Sequence, residues 1–387
     1  MAQGMKIGIV GAGPAGLYFA LLMKKQNPAH EIRVVEQNAA GATYGWGVVF
    51  SDRALSFLSA GDADSYRDIE RRLQTWDDQA IVHRDQKVRV DGLGFSGIAR
   101  IDLLLALQEH CRRLGVELRF DTHLTDLTPL RDCDLIVGAD GVNSVVREVH
   151  KAEFQPFVDV LSNRYVWYGT EQPFDCLTLT FRQNHHGAFV AHHYRYSSTA
   201  STFIVECDAV SWTAAGLAGK SEDESRLYCE EVFRDDLGGH CLLTNKSLWH
   251  NFRVVTNQRW SHENIVLIGD ALRTVHFSIG SGTRMALEDA IALARAFAAH
   301  SDVPTTLSEF ERTRRPAVDK FLKVAAQSFI WYEQMREKLP PDPLPFAYDY
   351  MMRSGTMSHE RLRERHPKFA AAHDAYGVPR PSESSSR

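Results

Sequence analysis

The fold is decided near the start of the chain, where residues 7–16 read IGIVGAGPAG. Continuous apolar and β-branched residues from 6 to 11 predict a buried strand that ends in glycine. A helix is predicted from Pro14 to Gln26, because proline in the first helical turn lacks only an N–H that would have no helical partner anyway. A second strand is predicted at 32–36. This β-α-β order within about thirty residues is typical of the nucleotide-binding half of a doubly wound sheet.

The glycines of this segment follow the G-x-G-x-x-G pattern, and each has a physical role. Gly11 permits a tight turn, Gly13 lets a pyrophosphate approach the backbone, and Gly16 lets the helix pack closely on the sheet. The free N–H groups and partial positive charge of the helix start favour phosphates. Glu36 lies twenty residues beyond Gly16, where a carboxylate can accept hydrogen bonds from ribose hydroxyls. We therefore predict a dinucleotide site formed by Gly11, Gly13, Pro14, Ala15, Gly16, Glu36 and Gln37.

Two later motifs distinguish FAD from a nicotinamide cofactor. One is Asp140-Gly141, after a predicted strand at 134–138, and the other is Gly269-Asp270, which ends a predicted strand at 264–269. Together with the N-terminal glycine motif, they occur in the order found in the single-component flavoprotein aromatic hydroxylases of the para-hydroxybenzoate hydroxylase type, the group A FAD monooxygenases. The chain resembles this family over roughly residues 5–330.

The resemblance implies a bound FAD, with NADH or NADPH as a transient co-substrate and O2 as the oxidant. It implies that Asp270 holds the ribityl chain, that Asp140 serves FAD and the passing nicotinamide, and that Arg100 contacts the pyrophosphate. Backbone N–H groups at a helix start can also face the flavin edge where reduced flavin gathers negative charge. Without the family pattern, Asp140 would be interpreted as a turn residue and Asp270 as a helix cap. The further cofactor-binding residues predicted are Gly269, Gly280, Ser281, Gly282 and Thr283.

A narrower branch resembles the chain more closely. Segments 45–52, 164–170, 201–207 and 276–283 look like those of the salicylyl-CoA 5-hydroxylase group. The monooxygenase half of 2-aminobenzoyl-CoA monooxygenase/reductase and the violacein-pathway indole hydroxylase are similar. This resemblance implies hydroxylation of an activated aromatic ring, with salicylyl-CoA at carbon 5 or a related aryl-CoA thioester as the expected substrate. The alternatives are an indole or tryptophan-derived hydroxylase of secondary metabolism and a flavin-binding regulator whose redox state controls a partner.

Side chains beside the flavin and the substrate are predicted from loops that the resemblance places there. The catalytic candidates are His276, Phe277, His192 and Tyr194, and the candidates for the aromatic pocket are Trp46, Val48 and Phe277. No metal site is predicted, because neighbours such as His192 and His193 on a strand point to opposite faces. A basic cluster at 312–315 could meet CoA phosphates, although a solvated helix end is the favoured interpretation. Arg273 replaces the family's usual histidine, so contacts around the flavin are expected to differ.

The predicted fold class is α/β: a Rossmann-like FAD-binding domain, an antiparallel β-sheet substrate domain and C-terminal helices. The substrate domain is indicated by strand-like segments that alternate with period two, as in a sheet with one wet face. Prolines at 340, 341, 343 and 345 are expected to break the chain before a last helix at 358–374. The predicted divisions are 1–155 with 260–330 for FAD (part of 75–98 belonging to the substrate domain), 156–259 for substrate, 331–378 for C-terminal helices, and a disordered tail at 379–387.

The composition excludes several other classes of protein. The 387 residues include 44 Lys and Arg against 49 Asp and Glu, a formal charge of −5. This acidic balance argues against non-specific nucleic-acid binding. No run of 18 apolar residues is present, so no membrane partner is predicted. The six cysteines are spread singly and the N-terminus lacks a secretory pattern, so we expect reduced thiols in a cytoplasmic monomer or homodimer.

Overall fold

The computed structural model describes residues 4–376, except for the side chains of residues 52–54. The predicted tail at 379–387 lies outside the described residues. The strands of the described part are β1 (Lys6–Val10), β2 (Glu31–Val35), β3 (Gly47–Ser51), β4 (Gln74–Trp76), β5 (Gln79–His83), β6 (Gln86–Val90), β7 (Phe95–Ala99), β8 (Glu117–Arg119), β9 (Leu135–Gly138), β10 (Pro156–Thr170), β11 (Leu177–Asn184), β12 (Gly187–Arg195), β13 (Ser201–Cys207), β14 (Leu242–Leu243), β15 (His250–Asn257), β16 (Ser261–His262) and β17 (Ile265–Leu267).

Fifteen α-helices accompany these strands in residues 4–376. They are α1 (Pro14–Gln26), α2 (Asp52–Gly61), α3 (Ala63–Glu70), α4 (Arg100–Arg113), α5 (Val145–Val149), α6 (Lys151–Phe154), α7 (Ala209–Ala214), α8 (Glu222–Val232), α9 (Arg234–Leu237), α10 (Gly282–Ala299), α11 (Val303–Glu333), α12 (Met335–Lys338), α13 (Pro343–Met352), α14 (His359–Arg365) and α15 (Pro367–Ala375). None of the helices described is both long enough and apolar enough to cross a lipid bilayer.

A six-stranded sheet carries the predicted FAD-binding part of the fold, in the order β16-β17-β9-β1-β2-β8. All its neighbouring strands pair in parallel except β16 and β17. Helix α1 has the predicted bounds and packs against α4 and α10, with its residues 14–23 buried. Near-continuous burial of β1 and β9 is what a parallel sheet covered by helices requires. The predicted doubly wound sheet is confirmed.

A second sheet carries the strands of the predicted substrate domain, in the order β14-β10-β13-β12-β11-β5-β6, with β15 paired to β10. Its pairs are antiparallel except β5 with β11. The register sets Leu179 opposite His192, His192 opposite Ile204, and Ile204 opposite Trp167, so these side chains share one face. On the opposite face, residues such as Phe203 belong to a separate apolar core with α8 and α9. The first face is therefore free to form a cavity.

The C-terminal helices cover the β5–β6 end of this sheet, where Phe346 and Tyr350 of α13 pack against Phe181. Two expectations for this region are wrong. The proline-rich stretch does not simply break the chain, since Pro343 begins α13, where a missing N–H has no cost. The helix expected at 358–374 is two helices, because the chain bends between them at His366, just before a second initial proline.

Candidate active site

The predicted cofactor motifs converge at the carboxyl edge of the parallel sheet. Three of these motifs follow three adjacent strands. Gly11 comes directly after β1, Glu36 directly after β2, and Asp140 two residues after β9. Asp270 lies three residues beyond β17, the next strand along. A Cβ built on Gly11 would lie 2.4 Å from the carbonyl oxygen of Ala139, so the first two loops touch. This edge is where doubly wound sheets bind nucleotides.

The three motif glycines differ in how much space the structure leaves for a side chain at each position. Gly11 has a φ of +102°, which disfavours any side chain. A Cβ on Gly16 would lie 2.2 Å from the Gly11 carbonyl oxygen, so α1 packs directly on the loop. By contrast, a Cβ on Gly13 would have only the Ala139 carbonyl oxygen within 4 Å, at 3.9 Å. Gly13 therefore faces space that a phosphate group can occupy.

Two helix starts at this edge leave their N–H groups available. Neither α1 nor α10 has a side-chain cap or an acidic residue in its first turn. Elsewhere α3, α8 and α11 begin with a side chain that accepts from a backbone N–H. Uncapped N–H groups and the helix dipole together favour an anionic ligand. The start of α1 thus suits a pyrophosphate, and the start of α10, with Gly280, Ser281 and Thr283 beside it, suits an electron-rich ring edge.

Three charged side chains at this edge, those of Asp140, Asp270 and Arg100, lack protein partners within residues 4–376 for some or all of their polar atoms. Asp140 accepts hydrogen bonds from the N–H groups of Val145 and Val146 through Oδ2, but its buried Oδ1 has no partner. Burial raises the pKa of Asp140 and of Asp270, and it lowers the pKa of Arg100. The buried Oδ1 of Asp140, which has no protein partner, points to a ligand, and Arg100 and Asp270 line the neighbouring cavity where they are open to the same ligand. Hydroxyls of a ribityl chain and a pyrophosphate supply the missing donors and acceptors, so this residue set fits FAD.

Glu36 and Gln37 lie at the end of β2. The Glu36 carboxylate accepts hydrogen bonds from the N–H groups of Ala12 and Asn38, both at 2.9 Å, and so ties the glycine loop to β2. Its remaining lone pairs are open to sugar hydroxyls. Gln37 is exposed, with Oε1 3.3 Å from Nδ1 of His123. Both positions agree with the adenosine end of a dinucleotide, and their roles stay a prediction.

Two arginines that sequence reasoning did not assign to the site connect its loops. Arg147 is buried and donates to the carbonyl oxygens of Val142 and Ala271, which joins the Asp140 loop to the Asp270 loop. Arg273 points away from the cavity and pairs with Asp289 on α10 at 2.8 Å, with both side chains almost fully buried. Arg273 therefore holds the Asp270 loop against α10. It does not line the cavity, so it does not take over a role in contacting the flavin.

Replacing Asp289 with alanine should lower the free energy of unfolding by about 3–5 kcal/mol, because the buried Arg273 would lose its counter-charge. Asp289 also accepts from the Gly269 N–H, so the Asp270 loop would loosen as well. Urea unfolding followed by circular dichroism measures the change. Glu309→Ala, which removes an exposed ion pair with Arg312, is the control and should change the free energy of unfolding far less, because solvent screens exposed pairs. Equal losses for the two variants would contradict this interpretation.

A cavity of about 300 Å³ opens between the second sheet and the start of α10. Its walls are largely apolar or aromatic, and its polar groups come from a few side chains and from the α10 start. Such a cavity holds a small aromatic molecule. The lining residues that matter below are Val48, Arg100, Tyr165, Trp167, Leu179, His192, Tyr194, Ile204, Asp270, Phe277, Gly280, Ser281, Gly282, Thr283 and Arg353.

The structure brings some predicted substrate residues into this cavity and not others. Val48, Phe277 and His192 line it. Trp46 does not line it, because its indole packs against Gly169 of β10. Tyr194 does line it, but its hydroxyl donates to the Gly47 carbonyl oxygen at 2.9 Å and is not a free donor. Trp46, predicted as a pocket residue, therefore lies outside the cavity, and Tyr194, predicted as a catalytic residue, lines it with its hydroxyl proton already donated within the protein.

His276 also lies outside the cavity. It is buried behind Phe277, stacked on that ring, and its Nδ1 accepts the Ser278 N–H. Burial lowers the pKa of His276 to about 4. His276 is therefore a neutral side chain behind the cavity wall. It packs against Phe277 and does not line the cavity.

The buried His276 predicts a pH dependence of stability. The unfolded chain, in which this pKa returns to about 6.5, binds the proton first, so the free energy of unfolding falls as the pH drops from 6.5 toward 4. The loss attributable to His276 is up to about 3 kcal/mol. Urea unfolding of the wild type and of His276→Gln at pH 7 and pH 4.5 isolates this residue from other histidines. The variant should lose less stability on acidification, and parallel pH profiles would contradict the assignment.

A buried carboxylate that sequence reasoning missed, that of Glu206, lies next to His192 on the same face of the sheet. Glu206 on β13 is 1% exposed, and its Oε2 accepts from Nε2 of His192 at 3.3 Å. Its Oε1 accepts from Nδ2 of Asn163 at 2.8 Å. Burial would raise the pKa of Glu206, but the hydrogen bonds that it accepts from His192 and Asn163 outweigh burial and lower it. Glu206 is therefore an ionised group held under His192.

This carboxylate fixes the protonation pattern of His192. An ionised carboxylate only accepts hydrogen bonds, so Nε2 of His192 carries the ring proton. The other ring nitrogen, Nδ1, has no hydrogen-bond partner among residues 4–376. His192 is in edge contact with Phe277, with ring centroids 5.3 Å apart. The pair can accept a proton at Nδ1 and share the resulting positive charge with Glu206.

Comparisons with known proteins agree with this site. The family model described as an FAD binding domain matches residues 130–325. Salicyloyl-CoA 5-hydroxylase from a Streptomyces species is 40% identical over 90% of this chain and 70% of that protein. Protodeoxyviolaceinate monooxygenase from Chromobacterium violaceum is 38% identical over 89% of this chain and 94% of that protein. A solved structure of 2-methyl-3-hydroxypyridine-5-carboxylic acid oxygenase shares the fold, with a TM-score of 0.71, 17% identity, and coverage of 93% of this chain and 96% of that one.

The fold and the converging loops define a group A flavoprotein monooxygenase. The chain belongs to the FAD binding domain family and is an FAD-dependent aromatic hydroxylase. FAD is its cofactor, and NAD(P)H and O2 are the usual co-substrates of such enzymes. The family predicted from the three ordered motifs is thereby confirmed.

Proposed function

We propose that this enzyme hydroxylates the ring of salicylyl-CoA at carbon 5, or the ring of a closely related aryl-CoA thioester. The ring C–H is converted to C–OH while NAD(P)H and O2 are consumed and water is released. When bound, FAD takes a hydride from NAD(P)H and activates O2 for oxygen transfer, which is chemistry that no side chain provides. The observation that carries the proposal is His192, backed by the ionised Glu206, on the wall of an aromatic-lined cavity that also contains the residues predicted to hold the flavin.

The cavity supplies what such a ring needs. Leu179, Ile204 and Phe277 give it apolar walls, which exclude water and orient the ring. Its volume of about 300 Å³ is at the small end for ligand pockets and also includes space beside Asp270 and Gly280–Thr283 for the flavin ring, so the thioester carrier extends outside it. The 40% identity to a protein named salicyloyl-CoA 5-hydroxylase favours this substrate over other aromatics.

The proposed role of His192 follows from its hydrogen bonding. A hydroxyl group on the ring activates the position para to it, and the activation is stronger as the hydroxyl gives up its proton. Nδ1 of His192 accepts that hydrogen bond, and Glu206 stabilises the charge that develops on the imidazole. The uncapped start of α10, with Gly282 and Thr283 on the cavity wall, would offer N–H groups to the electron-rich edge of a bound flavin.

A substrate panel tests the proposal. Purified enzyme loaded with FAD would be incubated with NADH and with salicylyl-CoA, 2-aminobenzoyl-CoA, benzoyl-CoA, free salicylate or indole-3-carboxylate, and products would be identified by mass spectrometry. We expect a gain of one oxygen atom on the aryl part of salicylyl-CoA, with about one product per NADH. Benzoyl-CoA, which lacks the activating group, is the matched control and should not be hydroxylated. Hydroxylation of the indole with none of the thioesters would contradict the proposal.

A further inference from the structure

A second cavity, of about 430 Å³, adjoins the first and is open to solvent. The two share Ile279, Ser281 and Arg353, so a single layer of side chains separates them. We call the second one the outer groove. Its other lining residues are Arg284, Ala317, Lys320, Phe321, Val324, Ser328, Ser354 and Thr356.

The outer groove runs along one face of α11. The lining positions from Ala317 to Ser328 recur at helical spacing, with Phe321 and Val324 as its apolar floor. Ser328 lies at the inner end, where its Oγ is 3.0 Å from that of Ser278 on the wall of the first cavity. Lys320 is eight residues away, which is about 12 Å along the helix axis. The groove is thus an elongated channel that leads from the ring cavity to a cationic outer end.

The cations of this groove are incompletely neutralised. Within residues 4–376, Arg353 donates only to neutral acceptors, namely the carbonyl oxygens of Ser278 and Tyr350 and the hydroxyl of Ser328. Lys320 is exposed and pairs with no carboxylate among the described side chains. An elongated groove with an apolar floor and unpaired cations matches a ligand with a long neutral arm and terminal phosphates.

Arg284 adds positive charge through a shared network. It bonds Glu288 at 2.7 Å, but Glu288 also pairs with Arg314, at 2.9 Å. Arg314 in turn shares Asp289 with Arg273. Three arginines therefore face two carboxylates, which leaves a net positive charge beside the groove.

The basic cluster at 312–315, which the sequence suggested as a contact for phosphates, is not available for them. Arg312 pairs with Glu309, Arg315 pairs with Glu311, and Arg314 is buried in the network just described. The favoured interpretation of a solvated helix end is wrong in one respect, since Arg312 is exposed but lies within α11 and not at its end. Lys320, further along α11, is the lysine of this helix that lines the outer groove.

We propose that the outer groove binds the phosphate-bearing pantetheine arm of a CoA thioester. The thioester lies at the shared wall formed by Ile279, Ser281 and Arg353, the arm runs over Phe321 and Val324, and the phosphates meet Lys320 and Arg284. This inference rests on the proposed function and adds the site that recognises the carrier. The nicotinamide co-substrate also carries phosphates and must approach the flavin, so the test separates the two ligands.

Charge reversal at Lys320 is the test, with Lys323→Glu as the matched control. Lys323 is exposed on the same helix but does not line the groove. Calorimetric titration of free CoA into the FAD-loaded enzyme should show a roughly fivefold or greater rise in Kd for Lys320→Glu, and no more than a twofold change for the control. FAD content and the unfolding midpoint of both variants should match the wild type. Lys320→Met, which removes the charge without reversing it, should give an intermediate Kd.

Steady-state measurements assign the ligand. For Lys320→Glu, KM should rise for salicylyl-CoA but stay within twofold for NADH and for the salicylyl thioester of N-acetylcysteamine, which has no phosphate. Equal CoA affinity in Lys320→Glu and Lys323→Glu would overturn the inference, and so would a rise in KM for NADH alone. Because CoA binding is measured without turnover, wild-type enzyme that binds CoA but hydroxylates no thioester would refute the proposed function separately.

Discussion

Glu206→Gln should lower kcat for aromatic hydroxylation by roughly a hundredfold, the lower range of what a positioned proton acceptor contributes. Glutamine has nearly the same shape as glutamate but cannot stabilise a positive imidazole, and its amide can reverse the hydrogen bond to Nε2 of His192. The proton acceptor at Nδ1 would then be lost without disturbing the sheet. The rate of product formation at saturating substrate, measured by chromatography, reports this loss directly.

A purely structural role for Glu206 would give a different result. The glutamine variant should keep wild-type FAD affinity and unfolding midpoint, and flavin reduction by NADH should change little. Glu231 is exposed on α8, away from the cavity. Glu231→Gln is therefore a control that should leave kcat unchanged. If Glu206→Gln turned over within twofold of wild type, the His192–Glu206 pair would have no part in the chemistry.

Gly13→Ala should weaken FAD binding by roughly tenfold to a hundredfold and leave the protein fold intact. The backbone at Gly13 has a φ of −75°, which alanine adopts without strain, and nothing in the chain crowds the added methyl group. The methyl would instead fill the space left for the pyrophosphate, and overpacking of this kind costs about 1–3 kcal/mol. Titration of the apoprotein with FAD, followed by flavin fluorescence, measures the change.

Gly16→Ala provides the contrast. Its methyl group would meet the Gly11 carbonyl oxygen, so this variant should lose stability before any ligand is added. The two alanine variants therefore separate a ligand contact from a packing contact within one motif. Gly13→Ala with wild-type FAD affinity would show that the phosphates lie elsewhere.

The cofactor edge could be predicted from the sequence because each of its elements is local. The strand-glycine-helix order defined α1, and Gly11, Asp140 and Asp270 each come at or near the end of a strand. Parallel strands all end at the same edge, so residues that are distant in the chain had to meet there. No long-range pairing had to be known to reach this conclusion.

The substrate wall could not be predicted in the same way, because it depends on strand register. Glu206 is the one charged residue of β13, and only the pairing of β12 with β13 brings it next to His192. A single carboxylate among the aromatic and β-branched residues of this strand was the available signal. Trp46 and His276 were misplaced for a related reason, since an aromatic side chain in a loop can turn either toward the cavity or into the neighbouring strand.

A crystal structure of the oxidised, FAD-loaded enzyme with salicylyl-CoA, prepared without NADH so that no turnover occurs, tests the central claim most directly. We expect the FAD pyrophosphate beside Gly13, its ring end at Gly280–Thr283, and the salicylyl hydroxyl within hydrogen-bond distance of His192 Nδ1. A salicylyl ring bound away from His192, or FAD phosphates away from the start of α1, would contradict it.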